Sequence, residues 1–152
     1  MVALHSAETQ LALTTRFHVA VDGVDLGGWA RCQGLQVKFN PELINDGGNY
    51  EYEVILPGRV QYPNVTLTRA MNAPDTARVQ AWLRDRVSAW IGADSSGDGG
   101  TAQITLFDAR AGVVAAWQLR NVYPATWKGP DLDAMTLGIA TETLELAHEG
   151  FL

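Results

Sequence analysis

The chain has 152 residues, 47% of them hydrophobic and 18% charged, which fits one globular domain with a real core and excludes a disordered or low-complexity segment. A formal charge of −6, with only Lys38 and Lys128 as lysines, argues against a sequence-specific nucleic-acid module, because phosphate recognition needs clustered basic side chains. No apolar run approaches the roughly 18 residues that cross a bilayer, so no membrane anchor is expected, and the lone Cys32 excludes an internal disulfide.

Residues 1–15 lack a basic leader, and His5, Glu8 and Gln10 break their apolar runs; they read as an N-terminal segment ahead of a single domain at 16–152. From Arg16 to Val21, Phe17, Val19 and Val21 alternate with Arg16, His18 and Ala20, which predicts a half-buried strand, and Asp22-Gly23 supplies a tight hairpin turn. Cys32, near Trp29 and Leu35, reads as an inert core thiol. A second strand is expected from Gly34 to Phe39, where Leu35, Val37 and Phe39 alternate with Gln36 and Lys38.

The stretch NPELINDGGNYEYEVILPGRVQYPNVTL then predicts a long hairpin with a polar loop from Asn40 to Asn49 and with Tyr50, Tyr52 and Val54 alternating against Glu51 and Glu53. The pattern fits a hairpin packed on its own domain and equally an arm projecting to another surface. Asn64-Val65-Thr66 reads as strand residues. Between Pro74 and Ile91, Val79, Trp82, Leu83, Val87, Trp90 and Ile91 follow the rhythm of an amphipathic helix about 27 Å long, with Pro74 in its first turn and Gly92 at its end.

After the connector GADSSGDGGTA, strands are expected around Ala102–Phe107, Val113–Tyr123 and Leu137–Ala147. The second starts apolar on both faces, as for a strand covered on both sides. The tract NVYPATWKGPDLDA, 121–134, reads as a connector in which Pro130 restricts Gly129 and Asp131 bonds neighbouring backbone. Tyr123 and Trp127 add contact area of the kind enriched at interfaces. A rigid turn and a partner surface both fit it. One helix cannot enclose this many strands, so the expected class is mainly β with one α-helix: a small barrel or sandwich, a flanking amphipathic helix and a long hairpin.

The residues hold no recognisable chemistry. In DSSGDGG, at Asp94 to Gly100, the acid a calcium loop needs at its twelfth position is Thr105. Glu142, Glu145, His148 and Glu149 lack a second histidine at metal-ligand spacing and read as a surface strand with a charged tail. His5, His18 and His148 are scattered, and neither a nucleophile elbow nor a phosphate-binding or dinucleotide loop is present. No catalytic residue, metal or cofactor is expected.

Four tracts in order, LGGWARCQGLQV, ILPGRVQYPNVTLTRA, NVYPATWKGPDLDA and ATETLELAHEGFL, set around one amphipathic helix, resemble the tail-tube protein family of contractile phages and phage-tail-like contractile injection systems. The resemblance runs from about Arg16 to Leu152. It implies a tail-tube fold shared with the haemolysin-coregulated proteins of type VI secretion, assembling as a homohexamer ring whose strands join into one barrel, with rings stacked into an inner tube. On this resemblance the hairpin residues Asn40, Glu42, Asn45, Asp46, Asn49, Tyr50, Tyr52, Arg59 and Tyr62 make contacts between rings. The connector residues Tyr123, Trp127, Gly129, Pro130, Asp131, Leu132 and Asp133 lie at a subunit interface, and Thr141, Thr143 and Glu145 line the channel.

The implied partners are copies of itself, sheath subunits, baseplate and tube-initiator proteins, and cargo or DNA in transit. The protein would be made in the cytoplasm and become part of an assembled cytoplasmic, released or virion particle. Rival readings are a baseplate tube-initiator of the same machine, a monomeric barrel holding a small apolar ligand, and an enzyme built around His148.

Overall fold

The computed structural model describes residues 11–45, 47–48, 50–92 and 99–152. Strand β1 (Ala12–Val21) turns through Asp22 and Gly23 into the short β2 (Val24–Asp25). Both turn residues have positive φ, 53° and 73°, which gives the primed turn whose twist matches a hairpin. The other elements are β3 (Arg31–Gln33), β4 (Glu42–Ile44), β5 (Val54–Leu56), β6 (Val65–Ala70), α1 (Ala73–Ile91), β7 (Gly100–Asp108), β8 (Val113–Lys128) and β9 (Thr141–Ala147). Seven strands form one antiparallel sheet in the order β2-β1-β7-β8-β9-β6-β3, while β4 and β5 pair only with each other.

The long β8 folds that sheet into two layers. Its residues 113–122 pair with β7 and its residues 123–128 pair with β9. The change of partner falls at Asn121, whose φ of 51° lies in the left-handed region that asparagine tolerates better than most side chains. The Asn121 Oδ1 accepts the Gly99 N–H at 2.8 Å, which fixes the bend. Val19, Val21, Ala102, Ile104 and Leu119 then face Val65, Leu67, Leu144 and Leu146 across the core, each set arising from alternation along its strands.

Helix α1 closes this core through Val79 and Trp82, both buried. Asn72 caps it by accepting the Asp75 N–H at 2.9 Å, and Pro74 sits in the first turn, where its missing N–H costs nothing. The Trp82 Nε1 donates to Asp22 at 2.9 Å and Arg86 pairs with the same carboxylate at 3.2 Å, so the helix is pinned to the β1–β2 turn. Among the described residues no helix is long and apolar enough to cross a membrane.

A buried polar knot sits where the elements meet. Arg69 on β6 is 3% exposed and Glu142 on β9 is 0% exposed. The Arg69 Nε donates to Glu142 Oε1 at 2.6 Å, and its remaining nitrogens donate to the carbonyls of Leu26, Gly28 and Asp75. Thr76 and the Trp127 indole donate to the Glu142 oxygens at 3.4 and 3.3 Å, and the guanidinium lies 4.0 Å from the Trp29 ring centre. Each charge is therefore paired and hydrogen-bonded, the condition under which an ion pair survives in an apolar interior.

Several expectations are corrected. The strand expected at 34–39 is β3 at Arg31–Gln33 instead. Gly34 takes a φ of +99° and passes so close to the Asn64 carbonyl that a Cβ would lie 2.1 Å from it, which ends the strand. Glu142 is buried, because β9 lies between β8 and β6, so β9 is no surface strand. The first residues of β8 are not covered on both faces: Val113 and Val114 are exposed. Only the first half of the helix stripe is buried, with Val87, Trp90 and Ile91 left exposed.

Removing one member of the knot should leave a buried charge without its partner. Glu142→Ala is expected to lower stability by about 3–5 kcal/mol, measured by urea unfolding followed by circular dichroism. A loss no larger than that of a surface substitution, about 0.5 kcal/mol, would contradict this placement.

Candidate assembly surfaces

The hairpin is an arm. Its strands pair Glu42 with Leu56, Leu43 with Ile55 and Ile44 with Val54, and an isolated bridge at its root, Lys38 to Gln61, is bonded at 2.8 Å in both directions. The expected strand over Tyr50–Val54 is displaced to Val54–Leu56, and Tyr50 lies 95% exposed in the connecting turn region. Leu43, Ile44, Tyr52, Ile55 and Leu56 are exposed as well. Two strands alone are marginally stable in water, so an arm bearing this much apolar surface calls for another surface to lie against.

Among the expected arm residues, Asn40 fixes the root by donating to the Arg59 carbonyl at 3.1 Å, while Glu42 and Asn45 are exposed. Asp46 and Asn49 lie outside the described residues. Tyr62 belongs to the body rather than the arm: its ring packs on Phe151 at 5.2 Å and on His148 at 5.5 Å.

The expected connector divides into two parts. Tyr123 to Lys128 is the end of β8, and Trp127 is half-buried, packed against the core and bonded to Glu142. Gly129 lies against the Trp127 ring, where a Cβ would approach to 2.9 Å. The true connector runs from 129 to 140 and is exposed from Asp131 onward. In it Asp133 accepts the Met135 N–H at 2.9 Å and the Thr136 hydroxyl at 2.8 Å, so these donors, the Met135 N–H foremost, hold its carboxyl below the usual range. The resulting turn presents Leu132, 88% exposed, together with Met135, Leu137 and Ile139.

Leu137 was expected in a strand, but β9 begins only at Thr141. Leu137 and Ile139 alternate with Gly138 and Ala140 at a strand-like period of two, but in phase with the outward Thr141 and Thr143 rather than with the buried Glu142, Leu144 and Leu146, so the loop does not extend the buried face of β9.

Thr141, Thr143 and Glu145 share the face of β9 opposite the buried Glu142, Leu144 and Leu146. Cross-strand pairing extends that face into rows: Arg31, Thr68, Thr143 and Lys128 in one, Gln33, Thr66, Glu145 and Thr126 in the next. Asn64 donates to Glu145 at 2.9 Å. The layer β3-β6-β9-β8 is thus polar and threonine-rich outside and apolar inside. Among the described residues no strand pairs with the outer edge of β3 or with the edge of residues 124–128 that faces away from β9.

His148 serves to dock the chain end. Its Nδ1 accepts the Gly150 N–H at 3.1 Å, so the proton is on Nε2, which donates to the Pro63 carbonyl at 3.2 Å. Arg120 and the chain end exchange backbone bonds, Arg120 N–H to Gly150 and Glu149 N–H to Arg120, both 2.9 Å. Among the described residues no group of three or more His, Cys, Asp or Glu side chains is arranged to hold a metal.

A family model for the T4-like virus tail tube protein gp19 matches residues 13–152. Among solved structures, a chain of a PVC extracellular contractile injection system sheath/tube terminator, in the extended state, is similar at 21% identity and a TM-score of 0.73, covering 94% of this chain and 96% of that one. A chain of the PVC sheath-tube complex is similar at 21% identity and a TM-score of 0.70, covering 90% and 86%. A chain of the anti-feeding prophage baseplate is similar at 24% identity and a TM-score of 0.69, covering 93% of each. No curated protein matches.

Two outcomes follow from this geometry. Trp127→Ala should cost the isolated subunit about 3 kcal/mol, whereas Leu132→Ser should change its unfolding midpoint by no more than a surface substitution, about 0.5 kcal/mol; equal losses would contradict the division of the connector. Burial lowers the His148 pKa below its ordinary 6.5, so the unfolded chain takes up the proton first and stability falls as pH drops through 6.5 toward the folded value. Thermal melting from pH 7.5 to 5 checks this, and His148→Gln should flatten that part of the profile.

Proposed function

The chain belongs to the family of the T4-like virus tail tube protein gp19 and is a structural tube subunit; from that premise we propose that it builds hexameric rings that stack into the inner tube of a contractile particle. The observation that carries this reading is the layer β3-β6-β9-β8, polar outside, apolar inside, and unpaired at both outer edges among the described residues. An unpaired edge is a template for another strand, and ring symmetry satisfies both edges of every copy at once. Within the layer β3 and β8 run antiparallel, so residues 124–128 of one copy meet β3 of the next as an antiparallel pair.

Closed in this way, the threonine-rich rows face the channel. Thr66, Thr68, Thr141, Thr143 and Glu145 give a polar wall that offers passing cargo or DNA little apolar surface to hold. The arm, whose strands pair with each other and leave Leu43, Ile55 and Tyr50 exposed, reaches the next ring. The similar chains come from sheath-tube, terminator and baseplate assemblies, and sheath and baseplate proteins are the partners we assign to this tube. On this reading the protein acts through self-association and performs no catalysis.

The arm supplies the test. Asn40 and Gly58 approach so closely that a Cβ on Gly58 would lie 1.8 Å from the Asn40 carbonyl oxygen, so residues 41–57 can be replaced by Asn-Gly without moving the body. In electron micrographs of concentrated protein, wild type should form hollow tubes, and the shortened variant, with an unchanged circular dichroism spectrum, should stop at single rings. Tubes of normal length from the variant would contradict the role of the arm. Absence of rings from both would contradict the ring itself.

A further inference from the structure

Behind β3, between the two layers, lies a cavity of about 330 Å³ lined by Phe17, Cys32, Leu35, Ile104, Leu106 and Trp117, with Arg31 at its rim. Arg31 is exposed, and among the described residues its guanidinium has no hydrogen-bond or ion-pair partner. On the 129–140 loop, Leu132 is 88% exposed beside Asp131, which also has no partner among the described residues. The loop is held in its turn by Asp133, so Leu132 is presented at little further entropic cost. The described residues thus include an apolar cavity with Arg31 at its rim and an exposed Leu132 beside Asp131.

We propose that Leu132 of one copy seats in this cavity of the next copy around the ring, with Asp131 pairing with Arg31. The inference rests on the ring reading, because the proposed edge pairing brings the two sites together. Lys128, Thr143, Thr68 and Arg31 lie in one cross-strand row. When β8 of a neighbouring copy lies antiparallel to β3, its chain leaves Lys128 at the Arg31 end of β3, which places Asp131 and Leu132 at the mouth of the cavity. Opposite charges at the rim set the direction of docking, and the buried aliphatic side chain supplies the anchor, the division found at interfaces with a central hot spot. The loop therefore discriminates neighbours around the ring from neighbours along the tube.

Cys32 is the only cysteine in the chain and lines the cavity, which provides a reporter. Burial pushes its thiol up to about 11, so the chemistry is run at mildly alkaline pH. In Leu132→Cys rings treated with a copper–phenanthroline oxidant, non-reducing electrophoresis should show a covalent ladder ending at the hexamer, and peptide mapping should join the introduced thiol to Cys32. Assembled rings without that link, or with the link inside one chain, would overturn the proposal while leaving the ring reading intact. Absence of rings from wild type would overturn the reading beneath it.

A second measurement needs no substitution. Alkylation of wild-type Cys32 by a small maleimide should slow by about tenfold on assembly, because the seated side chain blocks access to the thiolate. Equal rates in subunits and rings, or equal uptake of a small apolar dye by both, would overturn the proposal.

Discussion

The buried contact between Arg69 and Glu142 organises the molecule. Five segments converge on it: β6 and β9 supply the charges, the turn after β2 and the first turn of α1 supply carbonyls, and Trp127 on β8 supplies an indole donor. An ion pair moved from water into an apolar interior is tolerated only when its geometry and hydrogen bonds are nearly complete. Because five separate elements complete it, none can shift without leaving a charge or carbonyl unmet. The rigidity that a tube wall requires thus begins with a polar contact inside an otherwise aliphatic core.

That rigid core leaves its edges unfinished. The bend at Asn121 divides β8 between two layers, and among the described residues neither layer closes within one chain. A monomeric barrel would use its last strand to cap its first; here the layer bearing Thr143 ends in β3 on one side and residues 124–128 of β8 on the other. Two of the places that expose apolar residues are the arm and the 129–140 loop, which suits a subunit with neighbours in two directions. On the proposed ring, edge, arm and loop are the surfaces that copies of the chain cover.

Much of this was legible in the sequence where one physical rule governs a segment. The alternation of Phe17, Val19 and Val21, the Asp22-Gly23 turn, the helix with Pro74 in its first turn, and the arm each follow local chemistry, and each is present. The failures occur where tertiary context overrides pattern. Gly34 ends β3 early because of a close backbone approach that no periodicity records. Trp127 resembles an interface residue in sequence, but Glu142, fifteen positions on, draws its indole into the core. Leu137 and Ile139 keep a period of two, but in the phase of the outward Thr141 and Thr143, and they lie outside β9, 102% and 81% exposed. An apolar alternation of period two suggests a strand by itself, and only its phase against Leu144 and Leu146 separates the loop from the buried face.

The central claim, that the outer edges of β3 and of the end of β8 are completed by another copy, is tested most directly by amide hydrogen exchange in isolated subunits and in assembled protein. Peptides covering 29–35 and 124–130 should gain protection on assembly, while β9, already paired on both sides, should change little. Unchanged exchange in both edge peptides, in particles shown by micrographs to be assembled, would contradict the account.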